Sequence, residues 1–328
     1  MRKLLFTLIL FIPLVVRGAQ ESPKRHIAYD QMITAARREQ VALRSLYFHK
    51  VALGLADDKL DPNETGVIGV EYSTITSTLG TLKSKRTAAN PDFAAYIVRE
   101  LVDHGYTKND TVLVTMTGSF PGMNLAVLIA LETLGIPSVR ISSLSASSYG
   151  ANQEDFTWLH MEDVLYLERK LSQRSDHVTL GGTGDVGGGL PEEGKRKLRR
   201  TAEKLGYQVI EAKSLRGQAA QRRKLRGSPE TYKLLINIGG NHAMLGKGPQ
   251  GRELPGGWND PRDFASVSGS GEFSGIIFDF LSEGVPVLNL LHIEDIAKSS
   301  GIAIDPQPLP KIGASPIYYE HPAEVSAP

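Results

Sequence analysis

The stretch that decides the fold class runs from residue 110 to 142: DTVLVTMTGSFPGMNLAVLIALETLGIPSVRIS. It opens with DTVLVTMTG, a short apolar run typical of a strand that is buried on both faces. The segment MNLAVLIALETLG has the length of a helix and stops at Gly135, a residue type that commonly ends helices. A second strand pattern, IPSVRIS, follows. A strand, a helix and a strand in this order predict a right-handed crossover between parallel strands.

The same alternation extends through most of the chain. Further strands are predicted in GVIGVEY, HVTLGG, YQVIEA, YKLLINIGG and VPVLNL, and helical patterns separate them. Strands that alternate with helices predict the α/β class, here a mostly parallel sheet with helices on both faces. This domain is predicted to cover residues 61–305, either as one unit or as two halves that meet near residue 175.

The first eighteen residues, MRKLLFTLILFIPLVVRG, have the pattern of an export segment. Arg2 and Lys3 precede an apolar run from Leu4 to Val16. This run is shorter than the ~20 residues of a typical membrane span and fits the core of a secretory signal. An uncleaved N-terminal membrane anchor is the alternative for residues 1–18. Either form predicts an exported protein, periplasmic or otherwise outside the cytoplasm, with anchoring to the inner membrane left open.

Two further regions flank the α/β domain. Residues 19–60 are predicted to be helical, because apolar side chains recur there at steps of three and four residues, as at Leu43 and Leu46. Residues 306–328 are rich in proline, and the segment DPQPLPKIGASP predicts an extended tail.

The composition excludes several kinds of partner and site. The chain has 37 Lys and Arg against 36 Asp and Glu, and this balance gives no argument for binding nucleic acid. It has no cysteine, so neither a disulfide nor a thiolate metal site can form. Its eight histidines are scattered, without a pair at metal-ligand spacing. No metal site is therefore predicted.

A glycine-rich loop in residues 177–190, HVTLGGTGDVGGGL, raises the question of a dinucleotide cofactor. Gly182, Gly184 and Gly187 form a G-x-G-x-x-G pattern, which in dinucleotide-binding folds brings a pyrophosphate against a helix N-terminus. Glu211, after the next predicted strand, is a candidate partner for the ribose. A dinucleotide-binding enzyme is therefore one hypothesis.

Three features oppose that hypothesis. Gly188 and Gly189 delay the following helix, so the third glycine of the pattern falls in a loop. Asp185 places a negative charge where phosphates would lie. The export segment predicts a compartment in which free NAD is scarce. We therefore expect no cofactor, and in particular no binding of NAD or ATP. The glycines are instead expected to shape a loop whose free N–H groups bind carboxylate oxygens.

Glycine-rich loops follow three of the predicted strands. In a parallel sheet the carboxyl ends of the strands share one edge, and ligands bind there. Residues 118–124, 181–189 and 239–246 are therefore predicted to converge into one pocket. The segment GSGEF, residues 269–273, is a further candidate for this edge.

Several of these segments resemble one bacterial family. They are GVEYSTITSTLGTLKSKRTAANPDFAAYIV, TGSFPGMNLAVLIALETLGI, SSYGANQEDFTWLHME and LGGTGDVGGGL. They are similar to the poly-γ-glutamate system protein family, and the likeness runs from about Val67 to about Leu290. The resemblance implies an accessory component of poly-γ-glutamate synthesis and export at the cell envelope. It implies as partners this exopolymer or its glutamyl precursors, and other membrane components of the system.

The resemblance implies no defined reaction. The chain is not similar to the ATP-dependent ligase of that system, and it has no G-x-x-x-x-G-K-[ST] loop. A catalytic role therefore has to be argued from the residues themselves.

Ser119, Asp185 and His242 are the catalytic candidates. Ser119 lies between a strand and a helix, where it is either a nucleophile or a helix N-cap. His242 is either a general base or a donor to a carboxylate. Asp185 either meets an ammonium, a cation or a histidine, or caps its own turn. The three stand in the chain order of the α/β-hydrolase triad.

The candidate ligand-binding residues are glycines with accessible backbone, amides, hydroxyls and one lysine. They are Gly118, Asn124, Gly182, Gly184, Gly187, Gly240, Asn241, Tyr72, Ser73 and Lys85. Tyr72 and Ser73 either line a polar groove or lie on an edge-strand face. Lys85 belongs to the basic run TLKSKR, which is either solvated or binds glutamate carboxylates through charged hydrogen bonds.

Three hypotheses for the function remain open at this point. The first is an envelope-located accessory factor that binds or handles nascent poly-γ-glutamate. The second is an amide-bond hydrolase or transferase that acts on this polymer through Ser119 or His242. The third is the dinucleotide-binding enzyme.

Overall fold

The computed structural model describes residues 23–227, 231–264 and 274–320. The predicted export segment, residues 1–18, lies outside the described residues, and so does the GSGEF segment at residues 269–273.

Helices and short strands alternate along the described chain. The helices are α1 (Tyr29–Ala52), α2 (Leu82–Ala88), α3 (Asp92–Asp103), α4 (Pro121–Leu134), α5 (Trp158–Leu167), α6 (Glu192–Lys204), α7 (Leu215–Arg226), α8 (His242–Leu245), α9 (Pro249–Glu253), α10 (Ile276–Ser282) and α11 (Ile293–Ser300). The strands are β1 (Thr76–Thr78), β2 (Val112–Thr117), β3 (Ser138–Ser143), β4 (Ala146–Ser147), β5 (Asn152–Gln153), β6 (Phe156–Thr157), β7 (His177–Thr179), β8 (Val209–Ile210), β9 (Leu234–Ile238), β10 (Gly257–Asn259) and β11 (Val287–Leu290).

One seven-stranded sheet organises the fold. Its strand order is β10-β11-β9-β2-β3-β7-β8. Strand β10 pairs with β11 in antiparallel orientation, and the other neighbours pair in parallel. The predicted α/β class with a mostly parallel sheet is therefore confirmed.

The central strands bury side chains on both faces of the sheet. In β2, Val112, Val114 and Met116 belong to the hydrophobic cluster that contains α1, α3 and α4. Leu113, between them, belongs to the cluster of α10 on the opposite face. Because successive side chains of a strand point to opposite faces, this continuous apolar run joins two cores, and helices cover both faces.

The order of the strands creates a switch point beside β2. The chain adds β3, β7 and β8 on one side of β2, and then returns to place β9 and β11 on the other side. Neighbouring strands whose outgoing connections run in opposite directions leave a crevice at their carboxyl ends, where ligands bind in open α/β sheets. The crevice of this protein lies beyond Thr117 of β2 and Ile238 of β9.

The prediction of a strand in GVIGVEY is wrong. Residues 66–72 have irregular backbone, and the first strand begins at Thr76. The side chain of Asn152 replaces a neighbouring strand: its Oδ1 accepts from Val70 N at 2.9 Å, and its Nδ2 donates to Val70 O at 2.7 Å. Gly69 packs so closely on the backbone of Gly150 that a Cβ would lie 1.9 Å from its carbonyl oxygen.

Helix α1 is part of the main hydrophobic core. It packs against α3 and α4, where Ala36, Leu43 and Leu46 of the predicted apolar pattern are buried, whereas Val51, the last member of that pattern, is exposed. Glu39 on the same helix is also buried, and burial raises its pKa well above the ordinary value. Within the described ranges, no helix is long and apolar enough to cross a membrane.

In the proline-rich segment that was predicted to be an extended tail, residues 306–314 form no helix or strand, but the chain then packs onto the core. Residues Pro316–Tyr318 form a 3-10 helix, and Tyr318 is buried. Its hydroxyl donates to Asp92 Oδ1 at 2.7 Å, and the Ser315 hydroxyl donates to the other oxygen of Asp92. The high proline content predicted a tail, but the apolar pair Ile317 and Tyr318 in this segment covers the core beside α3.

Candidate functional site

A cavity of about 330 Å³ lies at the carboxyl edge of the sheet, and we call it the edge cavity. Ser119, Gly182 and His242, one residue from each predicted loop, all line it. The predicted convergence of the three loops is therefore observed. The segment from Ser77 to Lys85 supplies a further wall.

The walls of the edge cavity are polar, and the described residues that form them include no acidic side chain. Serine and threonine make up half of the residues that line it, and none of these residues is Asp or Glu. Lys85 and His242 are the lining residues that can carry a positive charge. Such walls favour an anionic or carbonyl-bearing ligand.

The glycine-rich loop bonds mostly to itself. Thr183 N donates to Gly188 O at 2.8 Å, Gly188 N donates to Thr183 O at 3.2 Å, and Gly187 N donates to Gly181 O at 2.7 Å. Gly182 has a φ of 70°, and a Cβ there would lie 2.6 Å from Gly188 O. Several of the N–H groups that were predicted to bind carboxylates therefore donate to carbonyls of the loop itself.

The loop does not form the phosphate cradle of a dinucleotide fold. Helix α6 starts at Glu192, after Pro191, so the third glycine of the motif is not in its first turn. Gly184 and Gly187 do not line the edge cavity. Glu211, the ribose candidate, accepts from Arg199 Nε at 2.6 Å on the surface.

Asp185 is a buried structural hub below the edge cavity. It adopts a φ of 57°, which is uncommon for a residue with a side chain. Its Oδ2 accepts from Arg222 Nε at 2.8 Å. Its Oδ1 accepts from Thr179 Oγ1 and Asn241 Nδ2, each at 2.8 Å. These bonds hold the glycine-rich loop against β7 and α7, so the carboxylate is occupied by scaffold contacts.

His242 is held in one tautomer by the glycine-rich loop. Gly184 N donates to His242 Nδ1 at 3.0 Å. Since Nδ1 accepts, the proton of the neutral ring lies on Nε2. Burial first, and then the positive charges of Arg252 and Lys247, lower the pKa of His242, while Asp185 opposes them. Neutral His242 is therefore a hydrogen-bond donor through Nε2.

Asn241 serves the scaffold rather than the ligand. Its Oδ1 accepts from Ala243 N at 2.8 Å and so caps α8. Its Nδ2 donates to Asp185 Oδ1 and to Ser143 Oγ. The side-chain donors predicted for ligand binding at Asn241 are thus already in use, whereas the neighbouring Gly240 lines the edge cavity through its backbone.

The structure does not join Ser119, Asp185 and His242 into a triad. Ser119 Oγ accepts from Ser147 N at 3.0 Å. His242 Nδ1 accepts from an amide, whereas a triad histidine donates from that atom to its carboxylate. Asp185 is paired with Arg222 instead. Ser119 and His242 share the edge cavity, and Asp185 supports it from below.

The other candidates beside the first loop are structural. Asn124 is buried, and its Nδ2 donates to Thr117 O at 2.9 Å, which ties α4 to the end of β2. A Cβ on Gly118 would lie 3.0 Å from the carbonyl oxygens of Leu144 and Ser145. Gly118 is therefore needed for close backbone packing behind the edge cavity.

Tyr72 and Ser73 lie outside the edge cavity. Tyr72 is exposed at the surface. The Ser73 hydroxyl donates to Asn152 O at 2.5 Å and accepts from Ile75 N at 3.2 Å, so it stabilises a turn. The polar groove considered for these two residues is not part of this site.

Lys85 is the one buried member of its basic run. Lys83 pairs with Glu294, and Arg86 donates to Leu60 O, whereas Lys85 is only 4% exposed. Burial lowers the pKa of Lys85 to about 7.

The amine of Lys85 reaches one hydroxyl and one aromatic ring. Its Nζ donates to Ser147 Oγ at 2.8 Å and lies 3.6 Å from the centre of the Phe120 ring.

Two residues that follow β3 also belong to the site, although no loop was predicted there. Ser145 and Ser147 line the edge cavity, in the segment SSLSASS from residue 142 to 148. The rule that selected the other loops, which considers the residue after each strand end, would also have selected this segment. It was overlooked because it lacks glycine.

Within the part of the chain that the structure describes, no cluster of three or more His, Cys, Asp or Glu is arranged to hold a metal ion.

Comparisons of this chain with protein-family models, curated proteins and solved structures found no significant match. The resemblance to the poly-γ-glutamate system protein family therefore stays a prediction.

Proposed function

We propose that the edge cavity binds carboxylate groups of poly-γ-glutamate or of its glutamyl precursors. In this proposal the protein is an accessory component of the synthesis and export system at the cell envelope. The observation that carries the proposal is that Lys85 and His242 lie in the walls of the cavity, and that the described residues lining it include no acidic side chain. The pathway itself is proposed from the resemblance of the sequence segments.

Three side chains are suited to bind a carboxylate. Lys85 supplies an ammonium when it is protonated, and His242 supplies the Nε2 proton of its neutral ring. Thr117 also lines the cavity, and its buried Oγ1 has no hydrogen-bond partner among the described residues. A buried hydroxyl without a partner costs free energy, which a ligand oxygen would recover.

The size of the edge cavity limits what it binds. A volume of about 330 Å³ lies at the small end of the range for ligand sites. It suits a precursor or the end of a polymer chain better than a long internal segment. We therefore propose recognition of chain ends or of short glutamyl units.

Calorimetry with short γ-linked glutamate oligomers tests the binding. We expect one site per chain, and binding that weakens with rising salt because charged contacts are screened. The matched ligand control is the same oligomer with its side carboxyls converted to amides. Equal affinity for the acid and the amide oligomers would refute carboxylate recognition.

The pathway and the location need separate experiments in cells. Deletion of the gene is expected to change the amount, chain length or location of poly-γ-glutamate. Fractionation of a tagged full-length chain is expected to place it outside the cytosol. An unchanged polymer, or a full-length protein in the soluble cytosol, would contradict these parts of the proposal.

A further inference from the structure

The second observation at the edge cavity is a lysine–serine pair in its wall. Lys85 Nζ and Ser147 Oγ are 2.8 Å apart, within the reach that proton transfer requires. Both residues line the cavity, and both are almost fully buried. A serine hydroxyl becomes a nucleophile when an adjacent base removes its proton, and lysine fills that role in serine–lysine enzymes.

The surroundings of Lys85 favour a neutral amine. On its own helix, Lys83 pairs with Glu294 of α11, and Arg86 lies 3.7 Å from Asp305. Neither carboxylate is bonded to Lys85. A buried lysine without a carboxylate partner loses its proton near neutral pH, as the lowered pKa of Lys85 indicates. Its amine then has a lone pair with which to accept a proton.

The backbone near Ser147 packs closely against the Lys85–Ser147 pair. Gly80 lies against the pair: a Cβ there would be 3.0 Å from Ser147 Oγ and 3.3 Å from Lys85 Cε. Ser119 Oγ accepts from Ser147 N, so its own proton is free to be donated. A hydroxyl donor therefore lies next to the serine that Lys85 contacts.

We propose that Ser147 is a nucleophile for acyl transfer and that Lys85 is its general base. The substrate class is an amide, and the acyl acceptor is water or an amine. The assignment of the nucleophile rests on the geometry of Lys85, Ser147 and Gly80. The identity of the acyl group as γ-glutamyl rests on the proposed function.

The reaction balances with groups that the cavity supplies and with water. Ser147 Oγ attacks the amide carbonyl carbon while its proton passes to the neutral Lys85 Nζ. The C–N bond then breaks, and Lys85 returns that proton to the departing amine, which leaves an ester on Ser147. Water next attacks the ester and gives a proton to Lys85, which passes it to Ser147 Oγ as the free acid leaves. An amine in place of water forms a new amide.

Covalent labelling of the full-length chain tests the nucleophile. The probe is a fluorophosphonate, which phosphonylates activated serines and releases fluoride. Peptide mass spectrometry is expected to locate the adduct on Ser147. Ser147→Ala is expected to abolish labelling, and Lys85→Met to slow it at least a hundredfold. The matched controls are Lys83→Met, on the exposed part of the same helix, and Ser282→Ala, an exposed serine of α10.

The pH dependence of labelling separates a base from a merely structural lysine. The labelling rate is expected to rise with pH through a midpoint of about 7, as the amine of Lys85 loses its proton. The titratable His242 also lines the cavity, so His242→Gln is measured in parallel and is expected to keep this midpoint. Thermal unfolding of each variant shows whether it is folded.

The outcomes distinguish this inference from the proposed function. Oligomer binding without an adduct on Ser147 in the wild-type chain would overturn the inference and leave carboxylate binding standing. An adduct on Ser147 without oligomer binding would support the nucleophile and overturn the glutamyl proposal. An adduct that persists at the same rate in a folded Lys85→Met variant would overturn the role of Lys85.

Discussion

Two buried charged residues lie within the same site, and their partners differ. Asp185, below the edge cavity, is paired with Arg222 and bonded to three further side chains, those of Ser143, Thr179 and Asn241. Lys85, in the wall of the cavity, contacts a hydroxyl and an aromatic ring and bonds to no carboxylate among the described residues. A buried charge that is fully paired holds a scaffold together, whereas a buried amine without a counter-ion is costly to keep.

The two sets of partners separate a residue of the scaffold from a residue of the site. The ion pair joins the glycine-rich loop to α7, which shapes the cavity, and both carboxylate oxygens of Asp185 are bonded within the scaffold. Burial of the Lys85 amine costs more free energy than its few contacts return. Its presence is therefore better explained by ligand binding or by a catalytic role. Substitution of Lys85 is therefore a more direct test of function than substitution of Asp185.

The largest expected effect is the loss of stability in Asp185→Asn. The change leaves Arg222 buried without its counter-ion, and breaking a buried pair in this way costs about 3–5 kcal/mol. Urea unfolding measures the change in the free energy of unfolding. The matched control is Glu211→Gln, which breaks the exposed pair with Arg199 and is expected to cost less than about 1 kcal/mol. Equal costs in the two variants would remove the distinction between scaffold and surface.

A smaller effect of opposite sign is expected for Lys85→Met. Because the pKa of Lys85 falls from 10.5 to about 7 on folding, the unfolded chain binds more protons between these values. The contribution of Lys85 to stability therefore rises as the pH is raised from about 7 to about 10.5.

Removal of this buried amine is expected to stabilise the protein near pH 7 by about 1–3 kcal/mol and to reduce that pH dependence. Urea unfolding at pH 7 and at pH 9 provides the measurement, with Lys83→Met as the control. A Lys85→Met variant that is less stable than the wild type at pH 7 would place Lys85 in the scaffold beside Asp185.

The next expected effect concerns ligand affinity. His242→Ala removes the Nε2 donor from the edge cavity, and one hydrogen bond to a charged group contributes about 1.5–3 kcal/mol. Binding of γ-linked glutamate oligomers should weaken at least about tenfold, as measured by calorimetry. His292→Ala is the control, because His292 bonds to Arg252 O outside the edge cavity. An unchanged dissociation constant would exclude His242 from the binding surface.

The smallest effect is expected for Thr117→Val, a substitution of similar shape. Since Thr117 Oγ1 is buried without a partner among the described residues, its removal should not destabilise the protein and should raise the free energy of unfolding by up to about 1 kcal/mol. Oligomer affinity should fall a few-fold if the hydroxyl binds a ligand. A clear loss of stability with unchanged affinity would show that the hydroxyl serves the scaffold.

Sequence reasoning succeeded where the signal is local and failed where it is not. The strand after Asp110 and the helix that ends at Gly135 follow from short apolar patterns, and both are present. GVIGVEY has a similar pattern but no strand partner, because Asn152 bonds to its backbone from a distance of 82 residues along the chain. No pattern within GVIGVEY predicts that the Asn152 side chain will bond to it.

The site shows the same division. The rule that ligands bind at the carboxyl ends of parallel strands selected the loops of Ser119, Gly182 and His242, and all three residues line the edge cavity. Ser147 was not selected, because only glycine-rich loops were considered and the segment around Ser147 is rich in serine. The rule also assigned a ligand role to Asn241, whose side chain is used within the scaffold.

Local sequence patterns were enough to predict the α/β class and the edge at which the loops meet. Buried strands, helical periodicity and helix ends are properties of consecutive residues, and parallel strands bring their carboxyl ends together. Which polar groups are satisfied and which remain for a ligand depends on tertiary contacts. Asp185 meets Arg222 from 37 residues away, and Lys85 meets Ser147 from 62 residues away. Such pairings depend on how the elements pack, and packing joins residues that no local pattern connects.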